Sequence, residues 1–271
     1  MKILTIQNRM GIGDMIIFLP FIEAIAKKFD TKVDLLVKEN SKASEYLKNN
    51  KYINNIIILD RNTKNKKGEH DGIIGTFKLI YHLRKFKFDK VFIFNSSLRY
   101  NLIARFSSIK EMHQYPLFQK KNQHIIQAAQ NFLKNQINLD VDSNPNITID
   151  EQILKSNKIK NFSSEYKSIL LGIGGSGETK RIPSKIFLKF MELCSEENKY
   201  KFYLATGNSN IEQKILKEIL NSKFKPHCIS LDHLNISETL PYIKNCNIAI
   251  CNDSSFSHLS AALGLPTIVL M

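Results

Sequence analysis

Several features that would assign a function directly are missing from this chain of 271 residues. Its four cysteines form no CxxC pair and have no suitably spaced histidine, which argues against a zinc site and indicates thiols of a reducing compartment. No apolar run reaches about 18 residues, so we expect no membrane-spanning helix. The polar residues 7–9 interrupt the first apolar run, and we therefore expect no signal peptide and a cytoplasmic protein.

Acidic residues are also scarce, since 25 Asp and Glu stand against 39 Lys and Arg, a formal net charge of +14. Residues 1–150 hold 24 basic and 14 acidic residues, whereas residues 151–271 hold 15 and 11. This excess suits a nucleic acid, an anionic membrane surface or a phosphorylated substrate, or it reflects a Lys- and Asn-rich composition alone. No RNA- or DNA-binding motif accompanies the charge, and we predict no nucleic-acid partner.

The chain does contain short apolar runs that alternate with amphipathic segments. In the first half, the predicted strands are 2–6, 32–37, 56–59 and 90–94, and the predicted helices are 14–29, 41–49, 72–86 and 99–106. A polar segment over residues 140–167 then breaks the alternation and predicts a linker. Beyond it, the predicted strands are 169–173, 201–206, 227–231, 248–251 and 267–271, and the predicted helices are 184–196, 210–221 and 237–244.

Continuous apolar strands separated by helices are typical of parallel sheets covered on both faces. The chain is therefore predicted to be an α/β protein with two Rossmann-like domains, residues 1–150 and 151–271. Such domains bind ligands at the carboxyl ends of their strands, and we expect a ligand in the crevice between them.

A glycine turn, Gly11-Ile12-Gly13-Asp14, follows the first predicted strand and opens the first helix. A dinucleotide-binding GxGxxG motif would require glycine where Ile16 stands, and no acidic residue ends the second strand. No Walker A motif is present either. Two interpretations of Asp14 stay open: a carboxylate that complements the helix dipole, or a general base facing the crevice.

A glycine-rich loop over residues 172–183 opens the second half, directly after a predicted strand. Its hydrogen-bond donors and charges come from Ser176, Thr179, Lys180 and Arg181. This combination favours phosphate binding over a flexible loop without a ligand. Gly207 follows the next strand and is a further candidate for lining the crevice.

The stretch over residues 252–266 is the most informative, because a strand opens there into a short helix that begins with Asp, Ser and Ser and continues to His258. Gly264 and Pro266 mark its end. The free amide groups and positive dipole end of such a helix favour an anion, although an ordinary cap without a ligand has the same pattern.

Three of these stretches together resemble glycosyltransferase family 9, the heptosyltransferases of lipopolysaccharide core assembly. They are the opening GxGD with Pro20, the TKRxP sequence over 179–183, and NDSSxxHLxAALGxP over 252–266. The resemblance runs over essentially the whole chain. It implies a GT-B fold, in which two Rossmann-like domains face each other across a cleft, and a nucleotide-activated sugar donor, typically ADP-heptose, held mainly by the C-terminal half.

The resemblance also implies roles for individual residues. Asp14 takes the position of the general base, with Arg9 and Gly13 on the acceptor side. Lys180 takes the position of the diphosphate-binding lysine. Asp253, Ser254, Ser255 and His258 take positions in the family's donor-binding motif. With Ser176, Thr179 and Gly207 from the loops described above, and with Lys180, they make up the predicted donor-binding set. Ser255 departs from the family pattern, which usually has glycine there.

The predicted reaction is transfer of a sugar, most often heptose in this family, to a lipopolysaccharide core or related anionic glycolipid. We expect no metal and no cofactor, and peripheral contact with the inner membrane surface. Family members continue well beyond residues 267–271, so we expect an incomplete C-terminal domain in this chain. Two alternatives stay open: a transferase of the same fold with another donor or acceptor, and a truncated, non-catalytic module that binds a nucleotide sugar.

Overall fold

The computed structural model describes residues 1–61, 67–117, 123–149, 154, 162, 165–175, 177–195 and 199–271. The chain divides into two compact units, Met1–Pro145 and Asn146–Met271. Residues 150–153, 155–161 and 163–164 of the predicted linker lie outside the described residues. The boundary between the units falls at Pro145, within that polar segment. Each unit is built on a five-stranded parallel sheet.

The sheet of the first unit has the order β3-β2-β1-β4-β5. Its strands are β1 (Ile3–Gln7), β2 (Val33–Lys38), β3 (Ile53–Leu59), β4 (Lys90–Ile93) and β5 (Glu111–Gln114). Every residue of the central strand β1 is buried, as expected when helices cover both faces of a parallel sheet. The helices are α1 (Ile12–Lys28), α2 (Ala43–Tyr46), α3 (Gly72–Arg84), α4 (Leu98–Phe106) and α5 (Ile125–Ile137).

The alternation of side chains along β4 separates the two layers of helices. Val91 and Ile93 belong to the core that contains buried residues of α3 and α4. Phe92 points to the other layer, where its ring lies 6.4 Å from that of Phe132 on α5. The following residue with the same orientation, Phe94, lies 5.3 Å from Phe18 on α1. Helices α3 and α4 therefore share one face of the sheet, and α1 and α5 share the other.

The second unit repeats this topology with the strand order β10-β9-β6-β7-β8. Its strands are β6 (Lys167–Gly172), β7 (Tyr200–Ala205), β8 (Cys228–Ser230), β9 (Ile248–Asn252) and β10 (Thr267–Leu270). The described helices are α6 (Ser184–Ser195), α7 (Asn210–Leu220), α8 (Ile236–Asn245) and α9 (Ser255–Ala262). In both sheets the first strand along the chain is central, and the strand order reverses beside it.

Most predicted elements occur within three residues of their predicted limits, but the first unit contains three differences. The helix predicted over 41–49 is present but shorter, because Lys42 adopts a left-handed conformation with φ 52° and only the single turn α2 follows it. Strand β5 and helix α5 were not predicted. β5 has the sequence EMHQ at the edge of the sheet, where only His113 is buried, so it lacks the apolar run of an inner strand.

The four cysteines are reduced thiols, two of them buried (Cys246 and Cys251) and two half-buried (Cys194 and Cys228). Burial raises the pKa of Cys228 to about 11 and that of Cys251 to about 12. These thiols are therefore neutral at physiological pH and pack as small apolar groups. Among the helices of the described ranges, none has the length and apolar character needed to cross a membrane.

Candidate functional site

The candidate site lies at the carboxyl ends of β6 and β9, the point where the strand order of the second sheet reverses. Open α/β sheets bind ligands at this position. Gly172 ends β6 and is paired with Cys251 of β9. A Cβ atom on residue 172 would lie 2.6 Å from the Cys251 Sγ, so only glycine lets the two strands approach here. Asn252 holds the edge together by donating from Nδ2 to the Ile173 carbonyl at 2.9 Å.

An ion pair joins the loops that follow these two strands. Lys180 ends a single 3-10 turn after β6, and its Nζ donates to Asp253 Oδ2 at 2.5 Å. The side chains are 44% and 38% exposed. Since a pair with this exposure contributes about 0–1 kcal/mol to stability, an anionic ligand can take the place of the carboxylate at little cost.

Unpartnered polar atoms lie at the same edge of the sheet as this pair. Thr206 directly follows β7, Asn252 ends β9 and Ser254 precedes α9. Thr206 Oγ1, Asn252 Oδ1 and Ser254 Oγ are buried without a hydrogen-bond partner among the described residues. Buried polar atoms in native proteins nearly always have partners, so three at one edge of a sheet indicate a place for a polar ligand or water.

Helix α9 presents its N-terminus at the same edge. Ser254 is the N-cap residue, yet its side chain makes no capping hydrogen bond, which removes the ordinary-cap interpretation for this hydroxyl. Ser255 and His258 lie half-buried on the first turns of the helix. The predicted helix end is confirmed, because Gly264 follows it with φ 75°. The first amide groups of α9 and its positive dipole end favour an anion here.

Glu212 on α7 connects two glycine loops of the site and was not identified from the sequence. Its Oε1 accepts a hydrogen bond from the Gly175 N–H at 2.9 Å. A Cβ atom on Gly174 or Gly207 would lie only 2.6 or 2.7 Å from a Glu212 carboxylate oxygen. The glycines therefore make room for this carboxylate. A signal existed in the sequence, because Ser209 and Glu212 have the spacing of a capping box, which the structure contains.

The remaining residues predicted to bind the donor lie in the loops near Lys180 and Asp253 or outside the described residues. Thr179 is exposed in the same 3-10 turn as Lys180, and Gly207 is half-buried after β7. Ser176 lies outside the described residues. Arg181 donates from Nη1 to the Gly175 carbonyl at 2.9 Å, which fixes the base of the loop. The structure thus brings together Lys180, Asp253 and the start of α9.

The first unit has its own polar edge, at the start of α1. Gly11 precedes the helix with φ 100°, a conformation that favours glycine. Asp14 lies half-buried in the first turn, where a carboxylate is stabilised by the helix dipole. Gly13 is half-buried in the same turn. Arg9 is exposed, and its backbone N–H donates to Gln7 Oε1 at 3.0 Å.

A cationic cluster in the first unit was also not identified from the sequence. Arg61 follows β3, and its Nε lies 3.1 Å from Asp71 Oδ1. Burial, followed by the charge of Arg61, lowers the pKa of Lys38 at the end of β2 and that of Arg99 on α4. The charge of Arg61 therefore acts on two other cations, and the Asp71 carboxylate acts on all three. Within the described ranges, no group of three His, Cys, Asp or Glu side chains has an arrangement suited to a metal ion.

Two Rossmann-like units, the second with a glycine-rich loop and a helix N-terminus at its switch point, define an α/β protein of the GT-B type. Residues 77–271 match the family model for glycosyltransferase family 9 (heptosyltransferase). The chain belongs to this family and is a glycosyltransferase. The resemblance found in the sequence motifs is thereby confirmed.

Individual relatives agree with this assignment. Lipopolysaccharide heptosyltransferase 1 of Campylobacter coli is 25% identical over 308 residues, covering 100% of this chain and 83% of the relative. The structure of E. coli ADP-heptose lps heptosyltransferase II is similar with a TM-score of 0.75 at 20% identity, covering 99% of this chain and 84% of that one. The structure of the family 9 glycosyltransferase of Veillonella parvula is similar with a TM-score of 0.78 at 17% identity, covering 99% of this chain and 80% of that one. The structural likenesses establish the fold.

Proposed function

We propose that the protein transfers a heptose from a nucleotide-diphosphate sugar, with ADP-heptose as the first candidate, to a hydroxyl of a lipopolysaccharide core or related glycolipid. The names of its relatives support this choice, since they include a lipopolysaccharide heptosyltransferase and an ADP-heptose-dependent one. The observation that carries the proposal is the position of Lys180 beside Asp253 and the N-terminus of α9. A cation and free helix amides at one edge suit a diphosphate.

In the proposed donor complex, Lys180 exchanges the Asp253 carboxylate for a diphosphate oxygen. The unpartnered Ser254 hydroxyl donates to the same group, and the dipole of α9 stabilises its charge. The other members of the proposed donor set are Ser176, Thr179, Gly207, Ser255 and His258. Preorganised donors of this kind contribute about 3–4 kcal/mol each to stabilising charge that develops on a leaving group.

We assign the acceptor to the domain of residues 1–150 and the donor to the domain of residues 151–271. The carboxylate of Asp14 removes the proton of the acceptor hydroxyl as its oxygen attacks the anomeric carbon. The new bond to that carbon forms while its bond to the diphosphate oxygen breaks, and the nucleoside diphosphate leaves. Arg9 and Gly13 lie on the acceptor side in this proposal. No metal takes part.

The acceptor is proposed to be anionic. Lys38, Arg61 and Arg99 support this, because burial and then the nearby charge of Arg61 lower the pKa of Lys38 and of Arg99, and a phosphate or carboxylate ligand would favour their charged forms. A glycolipid acceptor also implies peripheral contact with the inner membrane surface from the cytoplasm.

The test is release of ADP from ADP-heptose with a panel of lipid A–Kdo acceptors. We expect turnover in the unaltered protein and its loss in Asp14→Asn, with donor affinity unchanged by calorimetry. Asp30→Asn is the matched control, since Asp30 is exposed at the far end of α1. Turnover with another nucleotide sugar only would favour the same-fold transferase. Donor binding without turnover for any acceptor would favour the non-catalytic module.

A further inference from the structure

Helices α3 and α4 of the first unit expose an apolar surface that the proposed reaction does not use. We call it the α3–α4 face, and it consists of Ile73, Ile74, Phe77, Tyr81, Leu98, Leu102 and Phe106. The four residues on α3 are 65–78% exposed, and the three on α4 are 40–57% exposed. Large apolar residues exposed singly are ordinary, but a contiguous group of them marks an interaction surface.

The spacing of these residues gives each helix one apolar outer side. On α3, Ile73, Phe77 and Tyr81 recur at four-residue intervals, and Ile74 lies beside them, so all four fall within an arc of about 100°. On α4, Leu98, Leu102 and Phe106 recur at the same interval. Each outer side therefore forms a continuous stripe along its helix.

The two stripes face the same way because the inner sides of both helices pack on the same face of the sheet. Leu79 and Leu83 of α3 share one buried core with Ile103 of α4. Ser107, at the end of α4, also donates from its hydroxyl to the Ile80 carbonyl at 3.4 Å. The core is thus formed by the opposite sides of α3 and α4, and the α3–α4 face contributes nothing to it.

The charge around the α3–α4 face is predominantly positive. Residues 72–88 and 90–110 contain no Asp or Glu. The exposed cations of these ranges are Lys78, Arg84, Lys85, Lys87, Arg105 and Lys110. By helical periodicity Arg84 falls inside the apolar arc of α3, and Lys85 lies over the Tyr81 ring, with its Nζ 4.6 Å from the centroid. Glu69, just before α3, lies 3.5 Å from Lys78.

An apolar stripe of aliphatic and aromatic residues, surrounded mainly by Lys and Arg, matches the boundary of an anionic bilayer. Apolar side chains enter the headgroup region there, while the cations contact lipid phosphates. A second copy of the chain fits poorly, because two such faces would bring together like charges in a protein with a net charge of +14.

We propose that the α3–α4 face binds the protein to an anionic lipid membrane. The choice of a bilayer as the occupant rests on the proposed function, in which the acceptor is a glycolipid. Phe77 and Tyr81 insert at the level of the headgroups, and Lys78, Arg84 and Arg105 bind lipid phosphates around them. In this arrangement, helices α3 and α4 lie between the sheet of the first unit and the membrane.

The experiment is flotation with vesicles of phosphatidylglycerol and phosphatidylcholine, compared with phosphatidylcholine alone. We expect binding to the anionic vesicles that falls steeply with added salt. Ile74→Ser with Phe77→Ser should weaken binding about tenfold or more, because each side chain loses apolar burial in the lipid. Leu193→Ser with Ile211→Ser is the matched control, since these two residues are similarly exposed in the second unit. It should bind as the unaltered protein does.

A charge variant tests the other half of the proposal. Lys78→Gln with Arg84→Gln should weaken anionic vesicle binding about tenfold or more, at about fivefold for each charge removed. Lys214→Gln with Lys217→Gln, two exposed lysines of α7, removes the same charge elsewhere and should change binding much less. Circular dichroism melting checks that all variants fold.

Three results would overturn the inference. They are equal binding to both kinds of vesicle, equal losses in the control variants, and a dimer in light scattering that the Ile74→Ser, Phe77→Ser variant dissociates. The outcome is separable from the proposed function by an assay with a delipidated, soluble acceptor. In that assay the Ile74→Ser, Phe77→Ser variant should release ADP at the rate of the unaltered protein. Vesicle binding at the α3–α4 face without turnover in any assay would keep this inference and remove the proposed reaction.

Discussion

Lys180 and Asp253 form an ion pair between the loops that follow β6 and β9, with 2.5 Å between Nζ and Oδ2. Both side chains remain over a third exposed, so solvent reaches the pair and screening keeps its contribution to stability small. A diphosphate offers the lysine more negative charge than one carboxylate does. In the proposed donor complex, the pair therefore holds Lys180 in position until the diphosphate replaces Asp253.

The first prediction concerns this lysine. Lys180→Ala should raise the donor dissociation constant about 10–100-fold, since a hydrogen bond to a charged group contributes about 1.5–3 kcal/mol. The free energy of unfolding should change by less than about 1 kcal/mol. Lys180→Arg should restore part of the affinity. Calorimetry with ADP and ADP-heptose measures the effect, with Lys217→Ala as control. Unchanged donor affinity would remove Lys180 from the site.

Glu212 provides a second test because the chain contains a matched control for it. Both Glu212 and Glu238 complete capping boxes, on α7 and α8, but only Glu212 also binds the Gly175 N–H. Either residue changed to Ala should cost about 0.5–2 kcal/mol of unfolding free energy through the lost cap. Only Glu212→Ala should also weaken donor binding, because it releases the glycine loop. Equal donor affinity in the two variants would show that Glu212 acts as a cap alone.

Most of the fold follows from the sequence because inner strands of a parallel sheet are apolar throughout. Runs such as those of β1, β4 and β6 stand out for this reason. β5 does not, since its polar residues lie at the sheet edge, where a single buried residue, His113, suffices. Helix α5 differs from β5, because its buried residues Ala129, Phe132 and Leu133 recur at helical spacing, and this helix was therefore predictable from local pattern.

The candidate site was predicted in part for a similar reason. Local motifs identify the loop of Lys180 and the helix start at Asp253 separately. The ion pair between Lys180 and Asp253 joins residues 73 positions apart in the sequence. It forms because β6 and β9 are parallel neighbours that end at the same edge of the sheet. The roles of Asp14 and of the residues at the start of α9 came from the family resemblance, whereas Ser176, Thr179 and Gly207 came from the glycine-rich loops, and all of them stay predictions. Glu212 was readable only as a cap, because its bond to Gly175 is a tertiary contact.

A third prediction is that turnover needs no divalent metal. EDTA should leave the rate of ADP release unchanged, because the proposed charge stabilisation comes from Lys180, the α9 N-terminus and Ser254. Loss of turnover in EDTA, followed by recovery on adding Mg²⁺ or Mn²⁺, would contradict the proposal. A sample prepared without chelator and assayed in parallel is the control.

The buried thiols give a fourth prediction, on alkaline pH. Burial raises the folded-state pKa of Cys228 to about 11 and of Cys251 to about 12, above the ordinary value of 9.0. The stability contributed by a neutral buried thiol is fully present below the unfolded pKa and falls as pH rises towards the folded one. Unfolding free energy should therefore decrease above pH 9.0. Cys251→Ala should flatten this decrease in urea titrations, and an identical slope would contradict it.

The close approach of β6 to β9 gives the last prediction. Gly172→Ala should destabilise the protein by about 1–3 kcal/mol, because the new Cβ would lie 2.6 Å from the Cys251 Sγ and 2.9 Å from its Cβ. Adding Cys251→Ala removes the nearer contact and should recover part of the loss. Gly177→Ala is the control, since its Cβ would meet nothing closer than 3.9 Å. Urea unfolding measures all of these variants. A Gly172→Ala protein as stable as the Gly177→Ala control would contradict this prediction. It would mean that β6 and β9 can move apart at little cost, and that the edge carrying Asn252 and Asp253 is not rigid.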